Sequence, residues 1–178
     1  LLTDTNQLSK GRSFVYDPNG NLTQRIDRLG RRIDFVYDTL NRQTAEKWYT
    51  SGSLVRTLSY TYDTAGHLTQ ATDPAATYGY TLDNLGRVTT ETQTIAGLTP
   101  QVSYQSVFNS ASGRTQLTGL TAGTNDFRNA YSYDNLDRLT SVNQQQVSGG
   151  HTIAAKRADF TYDSRSLVTK VGRYADAT

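Results

Sequence analysis

The chain has 178 residues and a formal net charge of +2, too small a surplus to argue for a nucleic-acid or anionic-membrane partner. It contains no Cys, which excludes disulfide scaffolds, zinc–thiolate clusters and thiol nucleophiles. Hydrophobic residues make up only 35%, so a thick two-layer core would be hard to fill; 12 Tyr against 5 Phe point instead to a sheet of amphipathic rings, wet on both sides.

In chain order, residues 1–13 read as the tail of a repeat. The first whole block is Tyr16-Asp17-Pro18-Asn19-Gly20-Asn21-Leu22-Thr23, followed by a second turn at Asp27-Arg28-Leu29-Gly30. Tyr37-Asp38-Thr39-Leu40-Asn41-Arg42-Gln43-Thr44 repeats the first block, and its outgoing strand runs through Trp48 to a far turn at Thr50-Ser51-Gly52-Ser53. Tyr62-Asp63-Thr64-Ala65-Gly66-His67-Leu68-Thr69 comes next, with a far turn at Asp73-Pro74-Ala75-Ala76, and then Leu82-Asp83-Asn84-Leu85-Gly86-Arg87-Val88-Thr89. A degenerate copy is expected at Phe108-Asn109, with a wider turn because Gly113-Arg114 falls one residue late. Tyr133-Asp134-Asn135-Leu136-Asp137-Arg138-Leu139-Thr140 and Tyr162-Asp163-Ser164-Arg165-Ser166-Leu167-Val168-Thr169 complete the series. Far turns are expected near Ala96-Gly97, near Ala122-Gly123 and at a long tip, Ser148-Gly149-Gly150-His151, with residues 143–151 as a mobile loop.

Each block has the chemistry of a β-hairpin end. The Asp carboxylate can accept the backbone N–H two residues on, and Gly20, Asn41, Gly66 or Gly86 can take the left-handed conformation of a type I turn closed by a bulge. This register places Asp17 opposite Asn21, Asp38 opposite Arg42, Asp63 opposite His67, Asp83 opposite Arg87 and Asp134 opposite Arg138. One step out, Tyr16 meets Leu22, Tyr62 meets Leu68, Tyr133 meets Leu139 and Tyr162 meets Val168, so rings and aliphatics share one face and Asp, Arg and Thr the other. No segment of ten residues shows a 3.6-residue period, so helix should be nearly absent. The fold class is therefore all-β: an antiparallel meander of about seven hairpins, on the order of fourteen strands, whose accumulated twist should curl it into a curved or spiralling sheet.

The Tyr-Asp-x-x-Gly-Arg-Leu-Thr blocks and the Thr-Asp-x-x-Gly links resemble the RHS or YD repeats, over essentially the whole chain from about Thr3 to Val171. The resemblance implies a β-hairpin strip forming part of a larger hollow shell, as in insecticidal toxin-complex shell subunits, RHS toxins, wall-associated proteins and teneurins. It implies a secreted or cell-surface location, further YD repeats of the same parent chain as partners, and a shell that encapsulates or displays a toxin or effector. The competing reading is a surface adhesion module that binds carbohydrate or another cell-surface protein, glycans stacking on exposed Tyr. Residues 1–178 are expected to be one array within a longer protein, since no Met is present and Thr3-Asp4 resembles the mid-repeat Thr72-Asp73. The Pro- and Gly-containing autoprotease segment that ends many bacterial relatives is not found in these residues, so no cargo is assigned.

No catalytic, metal or cofactor residue is expected. Recurrence of the Asp at every turn argues for a turn role, whereas acid–base catalysis needs one unique pair. Asp17 to Asn21 resembles a calcium loop but lacks the Gly and Glu that complete one. His67 occupies a position held elsewhere by Arg or Asn, and His151 sits in a tip suited to solvent. No apolar run approaches the length of a membrane span. The structural residues singled out are Tyr16, Asp17, Gly20, Tyr37, Asp38, Asn41, Tyr62, Asp63, Gly66, Asp83, Gly86, Tyr133, Asp134, Tyr162 and Asp163.

Overall fold

A computed structural model describes residues 2–5 and 11–175. Part of the predicted first repeat tail, residues 6–10, lies outside these. The described residues form fifteen strands and no helix: β1 (Leu2–Thr5), β2 (Gly11–Tyr16), β3 (Leu22–Ile26), β4 (Arg32–Tyr37), β5 (Gln43–Thr50), β6 (Ser53–Tyr62), β7 (Leu68–Thr72), β8 (Ala76–Leu82), β9 (Val88–Ile95), β10 (Val102–Phe108), β11 (Arg114–Thr121), β12 (Thr124–Tyr133), β13 (Leu139–Gln146), β14 (Lys156–Tyr162) and β15 (Val168–Tyr174). Hydrogen bonding follows chain order from β1 to β15, so the protein is an antiparallel meander of consecutive hairpins. Such a chain needs no crossover connections, because each turn returns the backbone directly to its neighbour.

Two compact units divide the strands, Leu1–Gly79 and Tyr80–Thr178. In the first, only Ile33 is buried among the described hydrophobic residues, and in the second only Leu120, with Thr118 near it in β11; none is fully buried. Cohesion must therefore come from backbone ladders, turn hydrogen bonds and half-buried side-chain pairs rather than from a sealed core.

The predicted cross-strand pairs Tyr16↔Leu22, Tyr62↔Leu68, Tyr133↔Leu139 and Tyr162↔Val168 are present, but the register shifts immediately beyond each. Val15 faces Gln24, so Thr23 has no partner; Thr44, Thr69, Thr115, Thr140 and Thr169 are skipped in the same way. Every recurring Thr in these six hairpins is thus the extra residue of a β-bulge. Because side chains alternate with a period of two, each bulge moves the rest of its strand to the opposite face from that which simple alternation assigns.

Two expectations need correction. The hairpin at Asn109 is no wider than the others: Asn109 N–H donates to the Gly113 carbonyl at 2.9 Å and Ser112 N–H to Asn109 at 3.2 Å. Ser112 takes the left-handed position (φ 68°) and Gly113 the place of the arginine, so the sequence is in frame and only its residue types are shifted. Residues 143–146 belong to β13, and the tip proper is 147–155. His151 in that tip is exposed, as expected, and is tethered as well. β12 bulges at Asp126, whose carboxylate accepts both the His151 backbone N–H at 2.7 Å and a hydrogen bond with His151 Nδ1 at 2.8 Å.

Candidate functional site: the ladder of repeat turns

Seven turns of one design close the hairpins at 17–21, 38–42, 63–67, 83–87, 109–113, 134–138 and 163–167. In each, the first residue donates its N–H to the carbonyl four residues on and accepts at its own carbonyl the N–H three residues on. The fourth residue has positive φ throughout: Gly20, Asn41, Gly66, Gly86, Ser112, Asp137 and Ser166. Asp27 to Arg31 has the same geometry, with Gly30 at φ 75°.

The Asp side chain completes the turn from within. Oδ1 of Asp38 accepts the N–H of Leu40 and of Arg42, Asp83 those of Leu85 and Arg87, and Asp134 those of Leu136 and Arg138. Oδ2 is left for the fifth residue, whose guanidinium Nε lies 2.7–2.8 Å away in Arg42, Arg87 and Arg138. Asp17 is satisfied by the N–H groups of Asn19 and Asn21 and by Asn21 Nδ2, and Asp63 by His67 N–H and ring Nδ1. Five-residue spacing is what lets one carboxylate serve backbone and side chain at once.

These donors hold the carboxyls below their ordinary range. The Asn21 amide is the largest cause for Asp17, the Arg42 backbone N–H for Asp38, the His67 ring for Asp63, the Arg87 guanidinium for Asp83 and the Leu167 backbone N–H for Asp163. For Asp134 desolvation opposes ionisation but is outweighed by the Arg138 hydrogen bonds. Donor groups filling both oxygens of Asp17 also explain its calcium-like pattern: N–H groups point where a cation would need lone pairs.

Within each unit, neighbouring turns are tied to one another. Arg42 Nη1 donates to the Asp63 carbonyl at 2.9 Å, and its guanidinium lies 4.9 Å from the Tyr62 ring centre. Arg87 does the same to Asn109 and Phe108, and Arg138 to Asp163 and Tyr162. The aromatic answers in the other direction: Tyr37 hydroxyl donates to the Leu22 carbonyl, Tyr62 to Gln43, Tyr133 to Arg114 and Tyr162 to Leu139, all within 3.0 Å. Asn21 reaches Asn41 Oδ1 where an arginine is lacking, and at Gly113 the Tyr133 ring occupies the space itself, 3.1 Å from a Cβ built there. An arginine stack contributes about 0.5–1 kcal/mol at such exposure and a net hydrogen bond about as much, so the device works by repetition.

The bulge threonines take part as well. The hydroxyls of Thr23, Thr44 and Thr115 donate to the carbonyls of Val15, Val36 and Val107 across the hairpin, while Thr69 and Thr169 bond the hydroxyls of Thr61 and Thr161. The sequence signal for this role was the Thr itself, recurring one residue after the apolar position, a place where simple alternation requires no particular residue.

The RHS Repeat family profile matches residues 16–47. No curated protein matches the sequence. Among solved structures, the fold resembles a chain in a crystal structure of TcdB2-TccC3-Cdc42, with 18% identity, 94% of this chain covered and a TM-score of 0.77. It is similarly close to the Tc holotoxin pore of Photorhabdus luminescens, at 16% identity, 93% coverage and a TM-score of 0.76. In each case this chain spans 9% of the other.

Proposed function

We propose that residues 1–178 are a strip of RHS repeats, a non-enzymatic wall segment of a secreted or surface-displayed β-shell that encloses or displays a toxin or effector. The observation that carries this reading is the interlocked turn ladder. The turn carboxylates of Asp38, Asp83 and Asp134 are taken up within their own turns, while Arg42, Arg87 and Arg138 and the hydroxyls of Tyr37, Tyr62, Tyr133 and Tyr162 bond a neighbouring hairpin. Within each unit, turns bonded in this way hold neighbouring hairpins together without a sealed core. Further repeats of the parent chain are its proposed neighbours along the strip, and the likeness of fold to toxin-complex chains supports the assignment to a shell.

The test is amide hydrogen exchange in the full parent chain against residues 1–178 alone. A wall segment continues into neighbouring strands, so β15 amides exchange more slowly by at least tenfold in the parent. Equal rates would show a self-capped domain and remove the shell reading.

A second reading, glycan adhesion, is favoured by one feature: an open groove of about 420 Å³ where Tyr60 and Tyr78 flank Ala71 in a single cross-strand row. Rings on either side of a small residue can receive a sugar face. Absence of binding across an array of neutral and acidic glycans would remove it.

A further inference from the structure

We propose that the β13–β15 face carries a binding site for a small phosphate or sulfate monoester, an activity beyond the wall role. Gln144 lies opposite Lys156, Val142 opposite Ala158, and Ala158 opposite Arg173. Alternation therefore places Lys156, Ala158, Val142, Gln144 and Arg173 on one face, with the two cations as diagonal neighbours roughly 7–8 Å apart. An oxyanion seated between them would be held by both.

The groove over these residues has a volume of about 320 Å³. Arg157 and Tyr174 also line it, but Arg157 is committed to Asp159 at 2.8 Å and leans over the Tyr174 ring. No carboxylate lines the groove, and Lys156 and Arg173 have no acidic partner among the described residues. That sets it apart. In the groove beside Tyr60, Arg56 is neutralised by Asp73, and the groove around Tyr104 contains Glu91 along with Arg114. Elsewhere the turn arginines face their own aspartates. Two cations in one concavity form a local anion trap, because no carboxylate among the described residues pairs with either. Ala158 and Val142 give an apolar floor, and the Gln144 amide supplies a polar group for the body of the ester, which is why an organic monoester fits better than a bare ion.

The experiment is a two-dimensional amide NMR titration of the 178-residue chain with phenyl phosphate and, separately, inorganic phosphate. The expected result is saturable shifts at Gln144, Ala158 and Arg173, with phenyl phosphate the tighter ligand and affinity falling as salt rises. Lys156→Gln with Arg173→Gln weakens binding about tenfold or more, from the loss of two charge-assisted contacts. Both side chains are exposed, so the fold is retained, as the unchanged remainder of the spectrum verifies. Lys170→Gln, on the opposite face across from Thr161, leaves the affinity unchanged. Non-saturating shifts, equal response in the double variant, or equal affinity for inorganic phosphate would each overturn the proposal.

Discussion

Asp137 shows how little a single turn residue has to satisfy, and what it costs when the wrong one is present. It adopts φ 58° where Gly20, Gly66 and Gly86 sit in sister turns, and it is exposed. Left-handed backbone costs a residue with a Cβ about 1 kcal/mol, so Asp137→Gly should raise stability by up to about that amount, read as a shift of the denaturant midpoint. Arg138 makes the opposite case. Its planar fork serves Asp134, the Asp163 carbonyl and the Tyr162 ring together, which an ammonium cannot do. Arg138→Lys should lose about 1 kcal/mol, and pairing it with Tyr162→Leu in a double-mutant cycle should show the two losses to be less than additive. At Thr44 the hydroxyl is the group that matters, so Thr44→Val should cost about 0.5–1 kcal/mol although it keeps shape and β propensity.

Among the elements, β11 and β12 depart furthest from the repeat. Gly119 faces Phe127, and a Cβ added there would come within 2.3 Å of the ring. Here glycine is required by a neighbour's ring rather than by backbone conformation, and Gly119→Ala should destabilise by roughly 1–3 kcal/mol with loss of the Phe127 ring-current shifts in proton NMR. The turn joining the two strands is Ala122-Gly123, both at positive φ (51° and 78°), the mirror-image hairpin geometry that prefers Asn-Gly. Ala122→Asn should therefore stabilise by roughly 0.5–1 kcal/mol in thermal unfolding. Ser51-Gly52, between β5 and β6, has the same geometry in the other unit.

For the molecule as a whole, the turn carboxylates set the acid limit of stability. The folded values of Asp17, Asp38, Asp63, Asp83, Asp134 and Asp163 all lie below the ordinary 3.8. Folding thus favours the ionised form: the contribution is fully present above the unfolded value and is lost as pH falls through the depressed folded values. These groups add no slope above about pH 5, and the melting temperature should drop steeply below about pH 4, less steeply in an Asp38→Asn, Asp83→Asn double variant. A pH-independent melting temperature down to about pH 2 would show that the carboxylates do not matter collectively.

The recurrence of Tyr-Asp at hairpin ends was enough to determine the all-β class, the chain-order meander, the turn type and the Tyr16↔Leu22 style of pairing, because those depend on interactions within four to six residues. The frame of the Asn109 turn was misread because residue identity suggested a Gly where Ser112 bears the left-handed conformation, a conformation that sequence reports only statistically. Three features waited for the tertiary structure. The bulges at Thr23, Thr44, Thr69, Thr115, Thr140 and Thr169, the reach of Arg42 or Arg138 into the following turn, and the capture of His151 by Asp126 join residues up to 25 apart. Their geometry depends on which strands lie side by side and in what register, and a one-residue slip, invisible in a string of letters, changes the face and the partner of every side chain beyond it.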